Sequence, residues 1–480
     1  MVGEFVTEGR KSMHDDVNKT IALIVINLST FSTAFMTSSI NIALPSIGRE
    51  FLVDAILLGW VVTSYLLTTT MLLVPLGKAA DIYGRKKFFL YGIIFFTLSS
   101  LLCSISPSIA LLLCFRVIQG IGSALLLGTG VAILTSVFPP GERGRALGIN
   151  VATTYIGLSM APALGGMLTQ HLGWKSVFLV NVPIGLLIIL LVFWKVKGEW
   201  TEAERGEKLD FTGSLIYCFG LIALMYGLTL LPEMRGIWFI VLGMVGILLF
   251  VRWEMRVKNP ILNMRLFTQN RVFALSNLAA LINYSATFAL GLLLSLYLQY
   301  IKGLDPQNAG FVLVSQPMIM ALVSPFAGRL SERIEPRILA SCGMAIIVAG
   351  LIPLVLISDQ TSLLFIIACL MVLGFGFALF SSPNMNAIMS SVQKNFYGAA
   401  SATLATMRLT GQLFSMGIVM VIFAVSMGQV QITPEYYSLF LSSIKTIFII
   451  FTLLCCSGIF ASLARGKMSD MTDSPLHPPS

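Results

Sequence analysis

Charged side chains are scarce in this chain, and their placement decides what chemistry it can do. Of 480 residues, 31 are Lys or Arg and 22 are Asp or Glu. The segment GKAADIYGRKK at 77–87 sets one acid, Asp81, four residues before Arg85, between two apolar runs. An acid so placed is expected to find a cationic or helix N-terminal partner, and Gly77 and Gly84 are expected to allow a tight reversal. Arg116 and Arg408 fall inside apolar runs, Arg116 about eight residues or ~12 Å from the nearer end. A cation at that depth in a bilayer is costly and by default marks a functional site. The plainer alternative is an arginine that binds carbonyls and holds helices together. Lys445, nearer the end of its run, can snorkel. No carboxylate occupies the middle of any apolar run. A buried acid is the usual proton carrier and the usual counter-charge for a cationic ligand. Its absence leaves peripheral groups such as Asp81 with Arg116, or Arg408, as coupling candidates, and suits an anionic, zwitterionic or neutral ligand.

Other chemistries are excluded. No GxxxxGK[ST] loop is present, so ATP hydrolysis by a P-loop is not expected. The histidines are His14, His171 and His477, with no HExxH pair, so no metal site is expected. The stretch GLSMAPALGG at 157–166 nearly reads GxSxG, but no strand-turn-helix pattern surrounds Ser159, and a serine nucleophile is rejected. The chain is not expected to be an enzyme or to need a cofactor.

These residues sit on long apolar segments. Hydrophobic residues make up 56% of the sequence and charged residues 11%, with a mean hydropathy of +0.88, too little polar surface for a soluble particle. A bilayer core needs ~20 apolar residues per helix, and that ruler gives fourteen spans between residues 20 and 463. Basic residues crowd the loops of one face, which predicts cytoplasmic N- and C-termini. The net charge of +9 therefore reports topology rather than a nucleic-acid partner. The first run is too long for a signal-peptide core, and no cleaved segment is expected. The seven cysteines lie in or at the ends of spans, so structural disulfides are not expected. GRLSERIEPR at 328–337 is a weaker copy of the 77–87 loop, with Glu332 in place of Asp81 and Glu335 in place of Gly84. Such a parallel repeat predicts two bundles with a ligand site between them. The expected divisions are a cytoplasmic tail (1–19), a six-helix bundle (20–197), two linker helices with flanking polar segments (198–270), a second six-helix bundle (271–463) and a disordered tail (464–480).

The 77–87 pattern resembles the loop between the second and third helices of the major facilitator superfamily of secondary transporters, with Ala79 where a leucine is usual. The resemblance implies that Gly77, Asp81, Gly84 and Arg85, with Glu332 and Arg333 in the copy, latch the two halves in one access state. RVIQGIGSA at 116–124 is similar to the family's fourth-helix motif, whose arginine is associated with proton-coupled exchange. Gly157, Pro162, Gly165 and Gly166 resemble the antiporter motif of drug exporters, with Ala161 replacing a glycine; packing alone also accounts for them. WKSVFLVNVPIG at 174–185, LDFTG at 209–213 and the two extra spans resemble the fourteen-helix drug:proton antiporter branch. The implied fold is an all-α polytopic membrane protein of two six-helix bundles plus two inserted helices. One departure stands out. Many members carry an aspartate where this chain has Met36.

Polar or adaptable residues expected near a substrate cavity are Met36, Asn41, Tyr65, Gln119, Tyr155, Asn283, Gln316 and Gln412, each with an interhelical hydrogen bond as its alternative role. The leading expectation is an exporter of small amphipathic molecules across the cytoplasmic membrane by alternating access, with protons as coupling ion. The alternatives are a specific exporter or facilitator of an anionic or neutral metabolite with weak or no proton coupling, and a non-transporting sensor or scaffold. The expected partners are that small molecule, protons and the lipid bilayer, with no nucleic acid and a monomeric state.

Overall fold

The structure is a computed structural model that describes residues 19–195, 209–257, 260–393 and 396–466. The tail before residue 19, the linker through 208, Lys258, Lys394 and the tail beyond 466 lie outside the described residues. Fourteen helices of membrane-spanning length and hydropathy occur among the described residues. They are α1 (Lys19–Phe51), α2 (Ala55–Tyr83), α3 (Arg85–Ser104), α4 (Ile109–Val137), α5 (Gly141–Leu172), α6 (Lys175–Trp194), α7 (Phe211–Thr229), α8 (Met234–Glu254), α9 (Arg271–Ile301), α10 (Pro306–Leu330), α11 (Pro336–Val355), α12 (Leu363–Ser390), α13 (Tyr397–Ser426) and α14 (Pro434–Leu463). The chain is a multi-pass membrane protein. An even number of crossings puts Lys19 and Arg465 on one face, here called the basic face, which also carries Gly84 and Glu335.

Helices α1–α6 pack as one bundle and α9–α14 as a second, while α8 pairs with α7 and α7 leans on α2 and α13. The repeat is visible in the packing. A Cβ on Gly122 would meet the Gly92 carbonyl at 2.9 Å and the Phe96 nitrogen at 2.6 Å, and one on Gly343 would meet the Gly376 carbonyl at 2.7 Å and the Phe380 nitrogen at 2.6 Å. Small residues here let α3 touch α4, and α11 touch α12, backbone to backbone.

Acids left at the ends of the apolar runs act as caps. Asp54 accepts from the Ile56 and Leu57 N–H groups at the start of α2, and Asp305 from the Asn308 N–H at the start of α10. Each satisfies backbone donors that lipid could not. The reversal between α2 and α3 is one residue, Gly84, at φ +119°, a conformation that favours glycine. Gly77 does not share that role, as the sequence pattern suggested. It lies inside α2, where it approaches the Gly128 Cα of α4. Helix α9 is broken at Phe288–Ala289 and ends in a π-helical turn at Tyr297–Ile301.

Candidate functional site

At the basic face, Arg85 opens α3 with its guanidinium buried. Its Nε donates to Asp81 at 2.7 Å and its Nη1 to Ser136 at 2.6 Å on α4. Asp81 thus has the cationic partner expected of it, and the pair fastens the α2–α3 corner to α4 of its own bundle. In the copy, the ion pair is Glu335–Arg337 at 3.0 Å, at the start of α11. Glu332 and Arg333 stand exposed in the loop before it.

Arg116 lies within the first bundle and is fully buried. Its Nε donates to the Val61 carbonyl at 2.9 Å and its Nη1 to Gln119 Oε1 at 2.6 Å, while Gln119 Nε2 donates to Ser100 at 2.8 Å. Its guanidinium carbon sits 4.4 Å from the Tyr65 ring centroid, a cation–π geometry, and the Tyr65 hydroxyl meets Ser123 at 2.7 Å. Nη2 has no hydrogen-bond partner among the described residues. Gln119, Tyr65 and Arg116 therefore tie α2, α3 and α4 together inside one bundle, instead of facing the space between bundles. Met36 is also inside this bundle, fully buried, with Asn181 of α6 donating to its sulfur at 3.6 Å.

The two bundles meet mainly through the half of the membrane away from the basic face. Ser295 donates to the Asn41 carbonyl at 2.7 Å, Gln299 to the Ile42 carbonyl at 3.0 Å and Tyr300 to the Pro45 carbonyl at 3.4 Å. All three donors stand on α9 beyond its break, and all three acceptors on α1. Next to them α5 presses on α10. A Cβ on Gly166 would strike the Pro306 carbonyl oxygen, and one on Gly310 the Pro162 carbonyl oxygen. His171 meets Gln307 at 2.7 Å across the same seam. Gly157 and Gly165 face α1 instead, at Ala34 and Ser39. Toward the basic face the surroundings of α5 change: a Cβ on Gly141, Gly144 or Gly148 would meet nothing within 4 Å. These contacts between the bundles thus lie toward the far side, and at these three positions near the basic face nothing stands against α5.

Near mid-depth four polar side chains from four helices converge. Arg408 of α13 donates from Nε to the Tyr284 hydroxyl of α9 at 2.7 Å, and from Nη2 to Ser381 of α12 at 3.4 Å. Ser381 in turn meets the Tyr155 hydroxyl of α5 at 3.4 Å, so the cluster crosses from one bundle to the other. Phe377 stands edge-on to Tyr284 at 5.4 Å. Arg408 is half-buried, and no carboxylate pairs with it among the described residues. Gln316 and Gln412 are half-buried. Asn41 lies at the α1–α9 seam, and Asn283 is fully buried with neither amide atom hydrogen-bonded among the described residues. A separate groove of about 370 Å³ between α1, α5 and α6 is lined by apolar residues such as Phe31, Phe35 and Leu164, with His171 at its edge. It suits an acyl chain better than a polar ligand.

Sequence reasoning singled out Arg408 and Tyr155 and missed Tyr284, Ser381, Ser295, Gln299 and Tyr300. Gln299 carried a usable signal, a carboxamide inside an apolar run. Serine and tyrosine are too common in membrane helices to stand out.

Two related bundles, sealed together on one side and bridged at mid-depth by polar groups, define a membrane transporter and not an enzyme. The chain belongs to the Major Facilitator Superfamily, whose sequence profile matches residues 26–416. It is 31% identical over 395 residues to the riboflavin transporter RibZ of Clostridioides difficile, covering 81% of this chain and 85% of that one. It is 32% identical to the multidrug resistance protein Stp of Mycobacterium tuberculosis, over 83% of this chain and 74% of that one. In structure it is similar to a peptide transporter solved with sulfate, at a TM-score of 0.70 and 13% identity over 95% of this chain and 99% of that one. It is also similar to an inward-facing bacterial homologue of the human lysosomal transporter Spinster, at 0.64 and 16% over 92% and 96%. These two likenesses concern the fold.

Proposed function

We propose that the protein exports amphipathic, largely aromatic molecules that are anionic or neutral, by alternating access between the two bundles. The observation that carries this reading is the Arg408–Tyr284–Ser381–Tyr155 cluster: a cation without a carboxylate partner among the described residues, flanked by aromatic rings, at the junction of the two bundles. A guanidinium in a site of reduced water attracts a carboxylate, sulfonate or phosphate and repels a cationic drug. The basic loops support cytoplasmic termini and a cell-membrane location, and contacts gathered on the far side support an inward-facing state. The relatives named for multidrug resistance support a broad substrate range. The one named for riboflavin supports a narrower reading, in which a single neutral aromatic metabolite is moved. Exchange for protons is part of the proposal, as is a monomeric working unit.

The test is flux in proteoliposomes with three dyes of similar size, one anionic, one neutral and one cationic, with and without an imposed pH gradient. Transport of the anionic or neutral dye, accelerated by the gradient, is the expected result. Transport of the cationic dye alone would overturn the substrate assignment.

A further inference from the structure

With no acid in the middle of any membrane helix, the residence of a coupled or sensed proton is an open chemical question, and the two inserted helices offer an answer. Glu254 ends α8 at the basic face and is only 3% exposed. Its Oε2 accepts from the Leu262 N–H at 2.9 Å. Its Oε1 is buried and has no hydrogen-bond donor among the described residues. That orphaned oxygen points at a second carboxyl. A Cβ built on Gly213 would fall 2.7 Å from Glu254 Oε1 and against Asp210 Oδ2, so both oxygens converge on the same small space over α7.

Asp210 is held there by two donors of its own. Its Oδ1 caps α7 by accepting from the Gly213 N–H at 2.9 Å, and its Oδ2 accepts from Trp253 Nε1 at 2.9 Å. Both Asp210 oxygens therefore act as acceptors. The groups facing Glu254 are Asp210 from α7 and the Leu262 and Ile261 N–H groups from the segment leading to α9, while Trp253, its neighbour on α8, bonds Asp210. Arg252 and Arg256 flank it but are exposed, and Lys208 and Lys258 lie outside the described residues. Two facing carboxyl oxygens with no donor between them repel if both are ionised. One shared proton turns the repulsion into a short O–H···O⁻ bond.

We infer that Glu254 and Asp210 form a proton-binding site at the foot of the inserted helices, in which Glu254 carries the proton and donates it to Asp210. The bond staples α7 to α8 and, through Leu262, to the segment that enters the second bundle. Losing the proton to solvent leaves two anions and loosens the staple, so the site reads the pH of the basic face. The site is independent of substrate choice and is tested without flux.

Trp253 is a built-in reporter, because its indole N–H bonds the same Asp210 oxygen. The measurement is tryptophan emission of the intact purified protein in detergent as a function of pH, with Trp253→Phe subtracted to isolate its signal. The expected result is a one-proton titration in the wild type that is abolished in Glu254→Gln, whose amide donates to Asp210 at every pH. Asp210→Asn, a second variant that keeps a capping side chain, is expected to move it to lower pH, because Glu254 then ionises without an anion facing it. A wild-type signal flat over the pH range in which the protein stays folded overturns the inference, as does a titration that survives in folded Glu254→Gln or stays unmoved in folded Asp210→Asn. A response to added magnesium or calcium at fixed pH that matches the titration also overturns it, by making the pair a metal site.

Discussion

Replacing Gly166 by alanine places the decisive strain on the seam between the bundles. The new methyl would lie 3.1 Å from both the Gln307 Cα and the Pro306 carbonyl carbon, and closer still to the Pro306 oxygen. Ordinary carbon contacts are about 3.5–4.0 Å, and all three atoms are backbone, so no side-chain rotation relieves the clash. Overpacking of this kind costs about 1–3 kcal/mol. The clash exists only while α5 and α10 are pressed together, so the cost falls on the sealed state and spares any state in which they part. A difference of that size shifts a two-state equilibrium roughly 5- to 150-fold. Gly310→Ala presses on the same seam from the other side, against the Pro162 oxygen, and the double variant is expected to fall short of additivity because the two share one contact. Gly148→Ala is the control, since its Cβ meets nothing within 4 Å. The assay is double electron–electron resonance between spin labels at Leu172→Cys and Gln360→Cys, exposed positions on opposite bundles at the sealed face, in a background free of native cysteines. Gly166→Ala should add or enlarge a longer-distance population, and Gly148→Ala should not. Identical distance distributions in Gly166→Ala and wild type would refute the claim that this contact holds the seam shut.

Three further outcomes follow from the same geometry. Arg408→Gln removes a charge-assisted bond worth about 1.5–3 kcal/mol, so binding of an anionic dye should weaken roughly 10- to 150-fold in a fluorescence titration while a neutral dye changes little; equal losses for both would mark Arg408 as structural. Asp81→Asn leaves the buried Arg85 guanidinium with Ser136 and carbonyl partners, and because Asp81 is partly exposed the loss should be about 1 kcal/mol, read as a small fall in melting temperature in detergent. Met36→Asp puts a carboxylate beside Asn181 in the interior of the first bundle, so it should lower thermal stability without conferring transport of a cationic dye. Gain of gradient-driven cation export in that variant would show that this position communicates with the substrate path.

The fate of these residues shows what a one-dimensional pattern can carry in a membrane protein. Span number and order were legible because hydropathy over ~20 residues is set by the bilayer itself. The 77–87 corner was legible because charge and glycine at a membrane face have few alternatives, although Gly77 proved to be a helix contact and Gly84 alone the turn. The roles of buried polar residues were not legible, because which face of a helix looks at its own bundle and which at the other depends on rotations that all-apolar segments leave unmarked. Arg116 and Arg408 illustrate the difference. Both are cations deep in apolar runs, yet Arg116 is enclosed by Val61, Gln119 and Tyr65 of one bundle, and Arg408 reaches through Ser381 to Tyr155 of the other.

That contrast bears on mechanism. A group enclosed within one bundle keeps its surroundings when the bundles rock against each other, whereas a group whose partners lie on both bundles must exchange them. Arg408 and Tyr155 are therefore positioned to feel both ligand and conformation, and a ligand that replaces Ser381 as the bridge between them would favour one arrangement of the bundles over the other. The Glu254–Asp210 pair stands apart from this cluster, where α8 joins α7, the helix that leans on α2 of one bundle and α13 of the other. A proton lost there changes how the inserted helices hold the segment entering α9. That helix carries Tyr284 on one side of its break and Ser295, Gln299 and Tyr300 on the other. The break separates the residue that holds Arg408 from the residues that seal the far face, so motion at the foot of α9 can reach the ligand cluster without first unmaking the seal.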